Sequence, residues 1–251
     1  MIGTLIWRPF PILALTIRQF LGGKAVRVTV ALALIPCAFA GIYRLNTDVA
    51  TARAFLTDAI FLNLMAPTLL PIVVLILATA ALGNEVEDRT LPYLTLKPIS
   101  RLRIVLEKFV GVLVVVIPAV SAGLALSYLI VVGGDLGAPS EILWAMIAAS
   151  AFGAISSAAI FIAVSLIIPR ALLTGIIYTF VWESLLGRYL PGVRAVSVRH
   201  YTQSIFVQLL DSPSVTINSV TSLRASLLTV LGIVIASVAL ATWRLRRMNQ
   251  E

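Results

Sequence analysis

Charge is scarce in this chain, and where it gathers the residue types allow only a few kinds of chemistry. The stretch from Glu85 to Lys108, EVEDRTLPYLTLKPISRLRIVLEK, is its one dense charged island. Acids come first (Glu85, Glu87, Asp88) and bases follow (Lys97, Arg101, Arg103, Lys108). That order suits electrostatic docking, in which charges of both signs fix the register and orientation of a partner. It does not suit metal or nucleophilic chemistry. The single histidine, His200, excludes di-histidine metal motifs. The single cysteine, Cys37, lies in an apolar run and excludes an intrachain disulfide. The chain contains no G-x-x-x-x-G-K-[ST] loop to hold a nucleotide phosphate.

The elements that must position this island are hydrophobic. The 251 residues are 60% hydrophobic and 12% charged, with a mean hydropathy of +1.03; a soluble domain carries about 25% charged residues. Several apolar runs of about 20 residues point to an all-α polytopic membrane protein with helical spans. The weak alternating segments of a β-barrel are absent. The length suits one transmembrane domain over residues 1–251. The net charge of +8 reads as Lys and Arg on one membrane face rather than as nucleic-acid binding.

The pattern predicts an amphipathic interfacial helix over residues 10–22, with Pro9 and Pro11 at its start and Gly22-Gly23 at its end. Arg8 and the apolar stretch behind it show no small-residue cleavage site, so an interfacial helix is favoured over a signal peptide. Six spans follow, over about 26–43, 59–82, 104–132, 141–168, 171–186 and 223–243. The island, over 84–103, joins the second to the third. A polar and amphipathic segment, 187–222, precedes the sixth and is placed on the outer face. Pro67 and Pro71 in the second span imply a kink, read either as a packing bend or as a hinge lining a pathway. The third span carries Pro118, and Pro98 and Ser100 end the island and cap that span. Small residues at four-residue spacing in the fourth span, Ala149, Gly153 and Ser157, suit close helix packing.

An even number of spans places both termini on one side. Thirteen of the 19 Lys and Arg then fall on that side, and six (Arg44, Arg53, Arg188, Arg194, Arg199 and Arg224) on the other. The termini and the island are therefore expected in the cytoplasm. Glu183 is the one acid expected within or near the membrane. It is read as paired with Arg188 or backbone amides, or as a gating or substrate-contacting residue. His200, beside Tyr201 in the outer segment, is read as a surface or packing residue.

The island's residue order, E-x-E-x-R-T-L-x-x-L-x-x-K-P-I-S-R-x-x-I-x-x-x-K, resembles the first cytoplasmic loop of ABC-2-type transporter permeases. The matching positions are Glu85, Glu87, Thr90, Leu91, Leu94, Pro98, Ile99, Ser100, Arg101 and Lys108. Many members carry glycine just before the threonine, where this chain has Arg89. A second match runs from Phe180-Val-Trp-Glu-Ser through Arg199-His-Tyr201 and is similar to a stretch of one bacterial branch of these permeases.

The resemblance implies an ABC-2 (type V exporter-like) bundle in the cell (inner) membrane. It implies that Glu85, Glu87, Arg89, Thr90, Leu91, Leu94, Pro98, Ser100 and Arg101 belong to a coupling helix seated on a separate ATPase subunit. ATP and Mg would be bound by that partner, with no cofactor on this chain and no catalysis by it. A second permease copy or a paralogue would complete the pathway, whose gating or lining residues would include Glu183, Pro67 and Pro71. A hydrophobic or amphipathic substrate suits spans with so little charge. A secondary transporter would need ionisable residues near the midplane or an internal repeat. An intramembrane enzyme would need convergent catalytic residues in the spans. A non-transporting assembly subunit remains a third alternative.

Overall fold

In the computed structural model, residues 10–45, 51–87, 99–133, 140–168, 170–181, 197–210 and 221–248 are described. Among them the chain is entirely helical, with no strand. Among the described residues, five helices are long and apolar enough to cross a membrane. The first is broken once. Helix α1 is Pro11–Gly22, and α2 (Lys24–Ala33) and α3 (Ile35–Leu45) form one span of 22 residues. The break at Leu34 lies two residues before Pro36, which has no N–H to continue the ladder.

The second span, α4 (Ala52–Gly83), runs on without interruption into a last turn, α5 (Asn84–Glu87). Helix α6 is Arg101–Val132, α7 is Glu141–Ile167 and α8 is Ala171–Val181. Helix α9 is Val198–Leu210 and α10 is Leu223–Arg247. The observed helices extend the expected 26–43, 104–132 and 223–243 by a few residues, start the second span well before residue 59, at Ala52, and end the fourth at Ile167. The expected span at 171–186 is described only over α8. Its 11 residues reach about 16 Å at 1.5 Å each, short of a ~30 Å hydrocarbon core.

Helices α4 and α7 form the centre of the bundle. Their most apolar windows are 72% and 61% buried, against 22% for both α2–α3 and α10. Helix α7 packs against α4, α6, α8, α9 and α10, and α6 packs against α1, α2, α3 and α7. The small-residue pattern explains this centrality. Ala149, Ser150, Gly153, Ala154, Ser157 and Ala158 are all buried, and at Gly153 the Leu70 and Thr202 side chains occupy the place a Cβ would take.

Helix α6 meets the first span at an equally close crossing. A Cβ at Gly123 would collide with the Ala33 carbonyl oxygen, at the α2–α3 break. The far end of α6 closes on Gly133, whose φ of 68° is left-handed, with the Arg44 side chain packed against it. Stacked rings of Tyr43 and Phe55, 4.3 Å apart, join the end of α3 to the start of α4.

Two glycines separate close packing from simple helix propensity. Gly123→Ala must push the α2–α3 backbone away from α6 and should cost about 1–3 kcal/mol, the range for overpacking. Gly232 in α10 has nothing within 4 Å of its Cβ position, so Gly232→Ala should be neutral or stabilising by up to about 1 kcal/mol. Thermal unfolding of the detergent-purified protein, followed by fluorescence-detected size exclusion, distinguishes them.

Candidate functional site

The island flanks a buried ion pair. Glu85, in the short turn α5 at the end of the second span, lies within 2.5 Å of the Lys108 ammonium in α6. Lys108 is 0% exposed and the Glu85 side chain 12%. Neither charge faces outward as the island's composition suggests. Helix α6 begins at Arg101, so Lys108 lies two turns inside it, and the ammonium is compensated within the chain rather than by a partner. Replacing one member of such a pair strands a buried charge, at a cost of about 3–5 kcal/mol. The ends of two spans are thereby joined across the loop between them.

The preceding residue of α6 makes a second buried attachment. Glu107, 5% exposed, accepts hydrogen bonds from the backbone N–H groups of Ile12 (2.8 Å) and Leu13 (2.9 Å) and pairs with the Arg103 Nε at 2.6 Å. The reason lies in α1. Its N-cap residue, Phe10, has no side-chain acceptor, and Pro11 stands at its first position. Its first-turn amides therefore need an acceptor from elsewhere. A carboxylate at a helix N-terminus also meets the favourable end of the helix dipole. Glu107 corrects the expectation that Glu183 is the one acid within or near the membrane, because it lies inside the expected span 104–132. An acid inside the run IVLEKFVGV, together with an N-terminal helix lacking its own cap, was the legible signal.

The other expected site residues distribute as follows. The Ser100 hydroxyl accepts from the Arg103 N–H at 3.4 Å and caps α6, and Arg101 is that helix's first residue. Glu87 closes the turn α5. Arg89, Thr90, Leu91, Leu94 and Pro98 lie outside the described residues, as does Glu183.

Pro67 and Pro71 are both buried in α4. The helix accommodates them by widening: Phe55–Leu69 is π-helical, and the Leu70 N–H reaches the Met65 carbonyl five residues back. In that register, the amide Pro67 lacks is the one that would reach the Leu62 carbonyl. Gln203 of α9 supplies the missing donor, its Nε2 lying 2.8 Å from the Leu62 oxygen. Phe206, one turn on, packs against Phe61 with ring centroids 4.2 Å apart. Helix α9 is thus more deeply embedded than the polar composition of 187–222 suggests. His200 has its Nε2 2.9 Å from the Thr221 hydroxyl, which links α9 to the approach to α10.

Replacing Gln203 by Leu should leave the Leu62 carbonyl unpaired beside Pro67. The expected loss is about 0.6–1.7 kcal/mol, the measured range for hydrogen bonds between membrane helices, read as a lower unfolding midpoint. Gln203→Glu should be no better than Leu when ionised, because it removes the donor.

Comparison with known proteins places this arrangement. No significant match to a curated protein is found. The family model described as ABC-2 family transporter protein matches residues 24–185, which takes in the first four spans, α8 and the whole charged island. The chain therefore belongs to the ABC-2 family of transporter proteins, as a multi-pass membrane permease.

Proposed function

We propose that this permease is driven by a separate ATPase subunit that docks on the island between Glu85 and Arg101. The observation that carries the reading is the Glu85–Lys108 pair. A docking segment transmits motion only if its ends are fixed to what must move, and this pair holds the ends of α4–α5 and α6 together. A push on the loop then moves both spans as a unit. Glu87, Arg89, Thr90, Leu91, Leu94 and Arg101 are the residues proposed to meet the partner, which carries ATP and Mg. The family match supports this assignment, because permeases of the family typically work with ATPase subunits.

The same reading has the residues at 171–186 form the fifth of six spans, with α1 lying at the membrane interface. Both termini face the cytoplasm of the inner membrane, in line with the 13-to-6 division of basic residues. Two copies, or this chain with a paralogue, rock against each other to export a hydrophobic or amphipathic substrate. Pro67, Pro71 and Glu183 are the candidates for the moving or lining parts of the pathway.

The test purifies the chain from its native membrane and asks whether a phosphate-loop ATPase subunit comes with it. The two should co-purify, and the permease should raise or gate ATP turnover. Glu85→Gln with Lys108→Met replaces the buried pair by neutral groups and should preserve folding, whereas Lys108→Met alone should lose about 3–5 kcal/mol. The double variant should retain the complex but lose substrate-stimulated turnover by tenfold or more, about 1.4 kcal/mol of coupling. Absence of an associated ATPase, or full stimulation in the double variant, would overturn the reading.

A further inference from the structure

We infer that the turn of α4 from Leu62 to Pro67 is a two-position register switch, and that Gln203 of α9 is the latch on its present position. One position is the observed five-residue turn. The other is an ordinary helical turn, in which the Ala66 N–H reaches the Leu62 carbonyl four residues back. In the observed position the amide that Pro67 lacks is missing at the Leu62 carbonyl. Leu62 is buried, and the Gln203 Nε2 takes the place of that amide at 2.8 Å. In the other position the same amide is missing at the carbonyl of Asn63, which is exposed. Asn63 stands roughly 30 Å along the span from its end at Gly83, at the far edge of a ~30 Å hydrocarbon core, where water can bond that carbonyl. Pro67 thus removes one backbone bond in either register, but only the observed one needs a side chain from another helix. Phe206 grips the same turn through the Phe61 ring.

The surface of α4 records which position is occupied. Side chains reach the surface at Asp58-Ala59, Asn63-Leu64 and Thr68, five residues apart, and then at Ile72, Ile76 and Ala80, four apart; every other side chain from Ile60 to Thr79 is buried. The period changes where the π-helical stretch ends, at Leu69. The Asn63 Nδ2 lies 2.8 Å from the Asp58 carbonyl, again five residues back. In an α-helix a five-residue step turns by about 140°, so Asp58, Asn63 and Thr68 could not share one face. Shortening the Leu62–Pro67 turn by one residue rotates the part of α4 before it by about 100°. That carries Asp58 and Asn63 off the exposed face and brings Ile60 and Met65 towards it. The same stretch of span therefore shows a polar surface in one position and an apolar one in the other. The inference does not depend on an ATPase partner; it needs only that α4 crosses the membrane.

The test is nitroxide scanning of the full chain in lipid nanodiscs, on a Cys37→Ala background, with one label at a time at residues 58–68. Collision with oxygen reads exposure to lipid, and collision with a nickel chelate reads exposure to water. With Gln203 in place, accessibility should peak at 58–59, 63–64 and 68, and this arm does not depend on any latch variant folding. Gln203→Leu should move the first two peaks to 59–60 and 64–65, a shift of one residue, and leave 68 where it is. Gln203→Glu keeps the shape but, ionised, loses the donor, and should give the same shift. Phe206→Leu loosens the packing but keeps the donor, and should leave all three peaks in place. Peaks 3.6 residues apart with Gln203 in place would overturn the five-residue register. Peaks unmoved by both Gln203 variants, or moved equally by Phe206→Leu, would overturn the latch.

Discussion

Two ionisable side chains at consecutive positions of a buried helix cannot share a partner, because successive residues point about 100° apart. Glu107 and Lys108 of α6 are such a pair, and the terminal end of the bundle is arranged around compensating them. Glu107 takes the open amides of α1; Lys108 takes the carboxylate at the end of the second span. Each attachment is held by the cost of leaving a charge uncompensated in a low-dielectric interior. The two contacts make α6 the common anchor of the interfacial-helix candidate and of both ends of the island. Much of the stability gain at this end comes from avoiding a penalty, so specificity rather than raw affinity is what the ions contribute.

The opposite half of the bundle solves a backbone problem instead. Pro67 deprives α4 of a donor in the most buried span of the molecule, and the deficit is met by a side chain from a helix 141 residues along. The solution costs α4 its regular α-helical geometry over Phe55–Leu69. Long π-helical segments are rare, and this one is packed against α7 and α9. The widened segment is thus held in place, with α9 as its strut.

The apolar runs made the spans legible, and four of the expected ones agree with the observed helices to within a few residues, apart from the early start of α4. Ser100 was readable as a cap because a serine after Pro98 and before a long apolar run has few other roles. What the sequence concealed was pairing. Lys108 and Glu85 look like surface charge from composition, since nothing in a linear pattern shows that residue 108 lies two turns inside a helix against residue 85. Gln203 was hidden for a similar reason: its meaning depends on Pro67, and only the π register connects them. Glu107 was within reach, had the missing cap of α1 been weighed against an acid in an apolar run.

The Glu107 cap has a consequence in time. The amides of Ile12 and Leu13 emerge from the ribosome 94 to 95 residues before their acceptor. At about 5–20 residues per second, they wait roughly 5–20 s, while the first two spans are already made. Over that interval α1 has only water or lipid headgroups to satisfy its first turn. It therefore docks as a late event, once Glu107 at the start of the third span has been made, and its arrival marks the point at which this end of the bundle closes.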